Sequence, residues 1–90
     1  MIRSFRHKGL KELFDTGKSA RIGKSFHARI IRRLDALNVA TQAEAMNIPG
    51  YDFHTLKGTN RYTFHVNGPW CITFEFKNGH AEQVDFEQYH

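Results

Sequence analysis

The residues best suited to chemistry in this 90-residue chain are six histidines (His7, His27, His54, His65, His80 and His90), the lone Cys71, and a tyrosine beside the last histidine, Tyr89. Histidine takes up and releases protons near neutral pH, so two of them brought together can serve one reaction as base and acid. Their spacing also bears on metals. No HExxH, CxxC or paired-histidine ligand pattern occurs, and neither a metal nor any other cofactor is expected. A nucleophilic Cys71 would need a base held against it, and His65 is only one possible neighbour on its strand face, so a thiol mechanism is a poor reading. His7, His27 and His80 are expected to be surface residues.

Charge is distributed unevenly around these groups. Residues 1–33 hold ten of the thirteen Lys and Arg against two acidic residues, a net of +8, whereas residues 34–90 hold three against seven, a net of −4. Such polarity suits a partner with closely spaced negative charge, either nucleic acid or an acidic protein segment. With 40% hydrophobic residues and eight Phe, the chain can bury a core as one domain over residues 1–90. One cysteine excludes an internal disulfide, and no apolar N-terminal stretch resembles a signal peptide or a membrane span. The default address is the cytoplasm, with no membrane partner.

The elements that must position these residues come in two blocks. Ile2 to Phe5 reads as a short strand. Leu10, Leu13 and Phe14 then recur at helical spacing up to a stop at Gly17, and a longer helix is expected from Ser25 to Asn38, with Phe26, Ile30, Leu34 and Leu37 on one face. Arg29, Arg32 and Arg33 lie off that face and are expected to be solvated. Thr41 and Glu44 form a capping-box pattern for a short turn before Pro49-Gly50. From Phe53 the period changes to two, giving strands Phe53–Leu56, Arg61–Val66, Trp70–Phe76 and Ala81–Phe86, separated by turn residues. Alternation puts Tyr62, Phe64, Val66, Trp70, Ile72, Phe74, Phe76, Val84 and Phe86 on a face that the helices must cover. Arg61, Thr63, His65, Cys71, Thr73, Glu75, Gln83, Asp85 and Glu87 fall on the other, which is expected to stay open as a working surface.

In this order and spacing, several segments resemble the HigB-like branch of the RelE/ParE toxins over nearly the whole chain. They are Met1-Ile2-Arg3-Ser4-Phe5, His7-Lys8-Gly9-Leu10, Leu13-Phe14, Gly17-Lys18, Arg33-Leu34-Asp35-Ala36-Leu37, Ala40-Thr41, His54-Thr55-Leu56-Lys57-Gly58, Trp70 with Ile72 and Phe74, and Tyr89-His90. The resemblance implies an α+β, RelE-like fold: a four-stranded antiparallel sheet, with the N-terminal strand as an optional fifth at an edge, packed on one face by two to three helices. It also implies the toxin of a type II toxin–antitoxin system, a metal-independent endoribonuclease that cuts messenger RNA in the ribosomal A site. The implied partners are a HigA-like helix-turn-helix antitoxin and the ribosome, with DNA reached only through the antitoxin.

On that resemblance His54, Tyr89 and His90 are the catalytic candidates. His54 and His90 would share the base and acid roles in either order, and Tyr89 would stack on a base or position the phosphate. Lys57, Arg61 and Lys8 are the candidate phosphate-binding cations. Two departures stand out: Cys71 replaces an arginine that many relatives carry after the tryptophan, and Gln88 replaces an aspartate before Tyr-His. The electrostatic task would then pass to Lys57, Arg61 or an N-terminal base. The departures keep two other readings open, a non-enzymatic ParE-like gyrase poison and a degenerate toxin acting only with its antitoxin in transcriptional autoregulation.

Overall fold

The N-terminus of helix α1 (Lys8–Thr16) is set by His7, whose ring does what serine or aspartate usually does at a helix start. Its Nδ1 accepts from the backbone N–H groups of Gly9 at 3.0 Å and Leu10 at 3.3 Å. Gly17 ends the helix in the left-handed conformation, φ 86°, its N–H donating to the Leu13 carbonyl. Gly9 is demanded by a close approach: a Cβ there would lie 2.9 Å from His7 Cε1 and 3.0 Å from Ile22 Cγ1. The structure is a computed structural model and describes residues 1–88, with Tyr89 and His90 outside the described residues.

Helix α2 (His27–Val39) follows a 3₁₀ turn, Lys24–Phe26, and buries Ile30, Leu34 and Leu37. Phe26, expected within the helix, sits in the turn instead and packs edge-on against Trp70 and Phe86. Arg29 and Arg32 are exposed, as expected, whereas the expectation is corrected for Arg33, which is half-buried. Arg29 donates to the Val66 carbonyl at 3.1 Å, and Arg33 donates through Nε to the His65 carbonyl at 2.9 Å while its guanidinium lies 4.1 Å from the Tyr51 ring centroid. The helix therefore crosses the sheet where β2 loses its regular register, and the two cations bind carbonyls there. Thr41 does not cap. The short 3₁₀ turn Ala43–Met46 starts after Gln42 without a side-chain cap, and burial of Ala43 and Met46 fixes it in place.

Strands β1 (His54–Thr55), β2 (Arg61–Asn67), β3 (Trp70–Lys77) and β4 (His80–Gln88) form one antiparallel sheet in sequential order. β1 is shorter than expected, although Phe53 still stacks on Tyr62 at 5.7 Å and Leu56 bonds to Arg61 across the turn. The inward face carries Phe64, Val66, Ile72, Phe74 and Val84, all fully buried against the leucines and isoleucine of α1 and α2.

Strict alternation fails in β4. Thr73 pairs with Asp85 but Glu75 pairs with Glu82, so β4 holds one extra residue, and Gln83 adopts a left-handed φ of 52°. That bulge allows both Ala81 and Val84, three apart, to point inward with no exposure. Residues 2–5 do not form a full fifth strand. They run parallel to β4 through two isolated bridges, Ile2 to Ala81 and Phe5 to Val84, interrupted where the bulged Gln83 N–H turns to Ser4 Oγ. Among the described residues, no helix is long and apolar enough to cross a membrane.

The bulge makes a stability prediction. A β-branched residue resists the left-handed region, so Gln83→Val should lower the free energy of unfolding by about 1–2 kcal/mol, while Gln83→Gly should leave it unchanged or raise it, as read by urea denaturation.

Candidate active site

The register brings the candidate groups together. His54 pairs with Thr63, and Thr63 with Thr73, in one cross-strand row. In the neighbouring row on the same face His65 pairs with Cys71, and Cys71 with Glu87. His54, Thr63, His65 and Cys71 are therefore adjacent, and with Asp52, Gly68, Pro69 and Trp70 they line a cleft of about 290 Å³.

Backbone carbonyls orient both rings. His54 Nδ1 lies 2.9 Å from the Asp52 carbonyl oxygen, which can only accept, so Nδ1 carries the hydrogen and the neutral ring has its basic lone pair on Nε2. Asp52 takes a left-handed φ of 48°, a conformation that aspartate tolerates better than most residues. His65 Nε2 donates to the Gly68 carbonyl at 3.1 Å, which leaves Nδ1 as the position that can gain or lose a proton. The His65 backbone is held from both sides, its N–H donating to the Tyr51 carbonyl at 2.6 Å and its carbonyl accepting from Arg33. Arg33 covers the Tyr51 ring, and Tyr51 packs on Phe64, so the segment leading to His54 is pinned to the helical layer. Burial pulls the Arg33 guanidinium down from its ordinary value.

Cys71 is buried, and its thiol donates weakly to the Glu87 carbonyl at 3.4 Å. Burial pushes the thiol up and the Glu87 carboxylate adds to it, while the neighbouring polar Thr63 side chain opposes that rise without a hydrogen bond of its own among the described residues. The sulfur stays protonated and lacks the electropositive setting that a nucleophilic cysteine needs.

The polar face is less open than alternation implies. Thr63, Cys71 and Thr73 are only 1%, 7% and 2% exposed. Longer side chains of the same face close over it. Arg61 donates to Thr73 Oγ1 at 2.9 Å and to the Gln83 carbonyl at 2.7 Å, and lies 3.4 Å from Glu75, while Thr73 donates to the Glu87 carboxylate. Arg61 is thus engaged within the sheet and does not line the cleft.

Lys57 is exposed in the turn between β1 and β2, outside the residues that line the cleft. Lys8 opens α1 and lines a separate groove with Lys11, Glu12 and Asp15. Of the sequence candidates among the described residues, His54 alone is brought into the cleft; Tyr89 and His90 lie outside the described residues, and Gln88, the last described residue of β4, pairs with Trp70 at the cleft wall. His65 is the residue that sequence reasoning passed over. Its period-two alternation with Cys71 was the available signal, but only the pairing register places it near His54.

The other histidines have structural work rather than an idle surface position. His7 caps α1, the His27 ring meets the Ile22 carbonyl at 2.9 Å, and His80 meets the Arg3 guanidinium at 2.9 Å. Among the described residues, no cluster of three or more His, Cys, Asp or Glu is disposed to hold a metal ion.

Residues 3–90 match a family model described as HigB-like toxin, the RelE-like toxin of the type II toxin–antitoxin system HigB. The chain is also similar to Endoribonuclease HigB of Proteus vulgaris, with 40% identity over 92 aligned positions that cover 100% of both proteins.

The surroundings of Cys71 predict low thiol reactivity. Iodoacetamide should label the folded protein more slowly than the urea-unfolded chain, with the onset of labelling moved to higher pH because the raised thiol yields thiolate later. Mass-spectrometric time courses across pH would check this, and equal rates in the two states would contradict it.

Proposed function

The chain belongs to the HigB-like family of RelE-like toxins of type II toxin–antitoxin systems, and from that premise we propose that it is an endoribonuclease that cuts messenger RNA on the ribosome. The observation that carries the reading is the position of His54: its ring is fixed by the Asp52 carbonyl at an open cleft whose wall, Trp70, pairs with the last described residue of β4. The residues following that strand are Tyr89 and His90, which we assign to the same site.

The reaction needs three services. A base takes the proton of a ribose 2′-hydroxyl, the 2′-oxygen attacks phosphorus, and the phosphorus–O5′ bond breaks as an acid protonates the departing 5′-oxygen. The products are a 2′,3′-cyclic phosphate and a 5′-hydroxyl end, with no net proton change. His54 and His90 share the base and acid roles, and Tyr89 stacks on a base or positions the phosphate. Lys57 is exposed and suited to a backbone phosphate; Lys8 suits RNA further along the helical side. Arg61 contributes by holding Thr73, Glu75 and the bulge, because meeting a phosphate would require it to release acceptors it already holds. No step calls on a metal.

As a type II toxin the protein has an antitoxin partner. We assign that partner to the HigA-like helix-turn-helix class, so that DNA is reached only through it, and the site of action to the ribosome in the cytoplasm. The basic first third, with ten Lys and Arg, suits contact with ribosomal RNA.

Primer-extension mapping of mRNA ends after induction tests the reading. Wild-type protein should produce discrete new ends, and His54→Ala should lower cleavage by about 10²–10⁴-fold. Supercoiling inhibition with intact mRNA would overturn it. Removal of Tyr89 and His90 should relieve growth inhibition without unfolding the protein, and a fully toxic truncation would take the C-terminus out of the mechanism. Naked RNA should be cut poorly, since the ribosome must supply the orientation of the 2′-hydroxyl that so few groups leave unspecified.

A further inference from the structure

We propose that His65, as an imidazolium, supplies the positive charge that the cleft offers to the reacting phosphate. The inference rests on the nuclease reading above and adds a catalytic residue to it. Negative charge builds up on the non-bridging oxygens as the 2′-oxygen attacks, and a site lowers the barrier by aiming donors or cations at that point. None of the eight described residues that line the cleft is a lysine or an arginine. Among the described residues lining it, His54 and His65 are the groups that can become cationic, and His54 is assigned to proton transfer.

The geometry of His65 suits a fixed cation. Its Nε2–H is held by the Gly68 carbonyl, and its backbone is fastened through Tyr51 and Arg33. A protonated Nδ1 therefore presents its hydrogen from a ring that is already oriented, and Nδ1 has no hydrogen-bond partner among the described residues. Asp52 is the carboxylate among the described residues lining the cleft, and the cross-strand Cys71 remains a neutral thiol. Arg33 opposes the charge only from the far side of the strand, where it contacts the backbone carbonyl. No bond to His65 forms or breaks; its proton is shared with a phosphate oxygen in the transition state and retained afterwards.

A purely structural His65 would act by pinning the Asn67–Pro69 turn through the Gly68 carbonyl. Glutamine and arginine can both donate to that carbonyl, but only arginine brings charge. The test compares wild type, His54→Ala, His65→Gln and His65→Arg in cleavage of mRNA on programmed ribosomes, with thermal unfolding followed by circular dichroism. The expected result is that His65→Gln loses about 10²-fold or more in rate, while His65→Arg stays within about tenfold of wild type and both melt with it. His65→Asn against His65→Lys repeats the contrast should the first pair melt early. Wild-type cleavage with His65→Gln within about threefold of it, or with the neutral and cationic variants reduced alike, would overturn this inference and leave the nuclease reading standing. Absence of cleavage by the wild type would remove both.

Discussion

A β-sheet repeats every two residues, so a slip of one residue between β2 and β3 would turn every buried side chain outward. Phe64, Val66, Ile72 and Phe74 have no exposure in the observed pairing, enclosed with Leu10, Leu13, Ile30, Leu34 and Leu37. Burying each such side chain stabilises by roughly 1.5–3 kcal/mol. Exposing all four would therefore cost about as much as the whole margin of a small domain, roughly 5–15 kcal/mol. The register is dictated from the apolar side. The polar side inherits it: His54 must stand opposite Thr63, and His65 opposite Cys71, because of what lies beneath them. The cleft is a consequence of core packing, and the side chains that line it are placed by apolar residues on the opposite face of the sheet.

Much of this was legible in the chain. Leu10, Leu13, Ile30, Leu34 and Leu37 announced two amphipathic helices, and the alternation from Arg61 to Phe76 announced a half-buried sheet with turns at Asn67-Gly68-Pro69 and Lys77-Asn78-Gly79. Local pattern carries such information because burial acts residue by residue. It could not show that Ala81 and Val84 share a face, since that depends on one extra residue at Gln83, and glutamine is not a residue type that marks a left-handed position. Nor could Thr41 and Glu44 reveal that their segment would form only a single 3₁₀ turn held by Ala43 and Met46.

The site was half legible for a related reason. Residue type and family resemblance singled out His54, which the structure sets in the cleft. Whether a charged side chain is available or occupied depends on contacts between distant elements, and single-chain pattern is silent about those. Arg33 and His65 are 32 positions apart, and Arg61 and Gln83 are 22 apart, yet each pair is joined by one hydrogen bond. Arginines that the helical pattern left facing water turned out to fasten β2. Conversely, an ordinary-looking strand histidine acquired significance from its neighbours.

The way the sheet ends has its own result. Residues 1–6 lie along the outer side of β4, with Arg3 and Arg6 donating to the Ala81 and Val84 carbonyls and Met1 and Ser4 accepting from the same two residues. At the opposite margin β1 offers a strand only two residues long. Among the described residues, neither border presents an extended row of vacant amide groups on which another copy could template. The first few residues thereby occupy backbone groups of β4 that an unpaired edge strand would leave open to another chain.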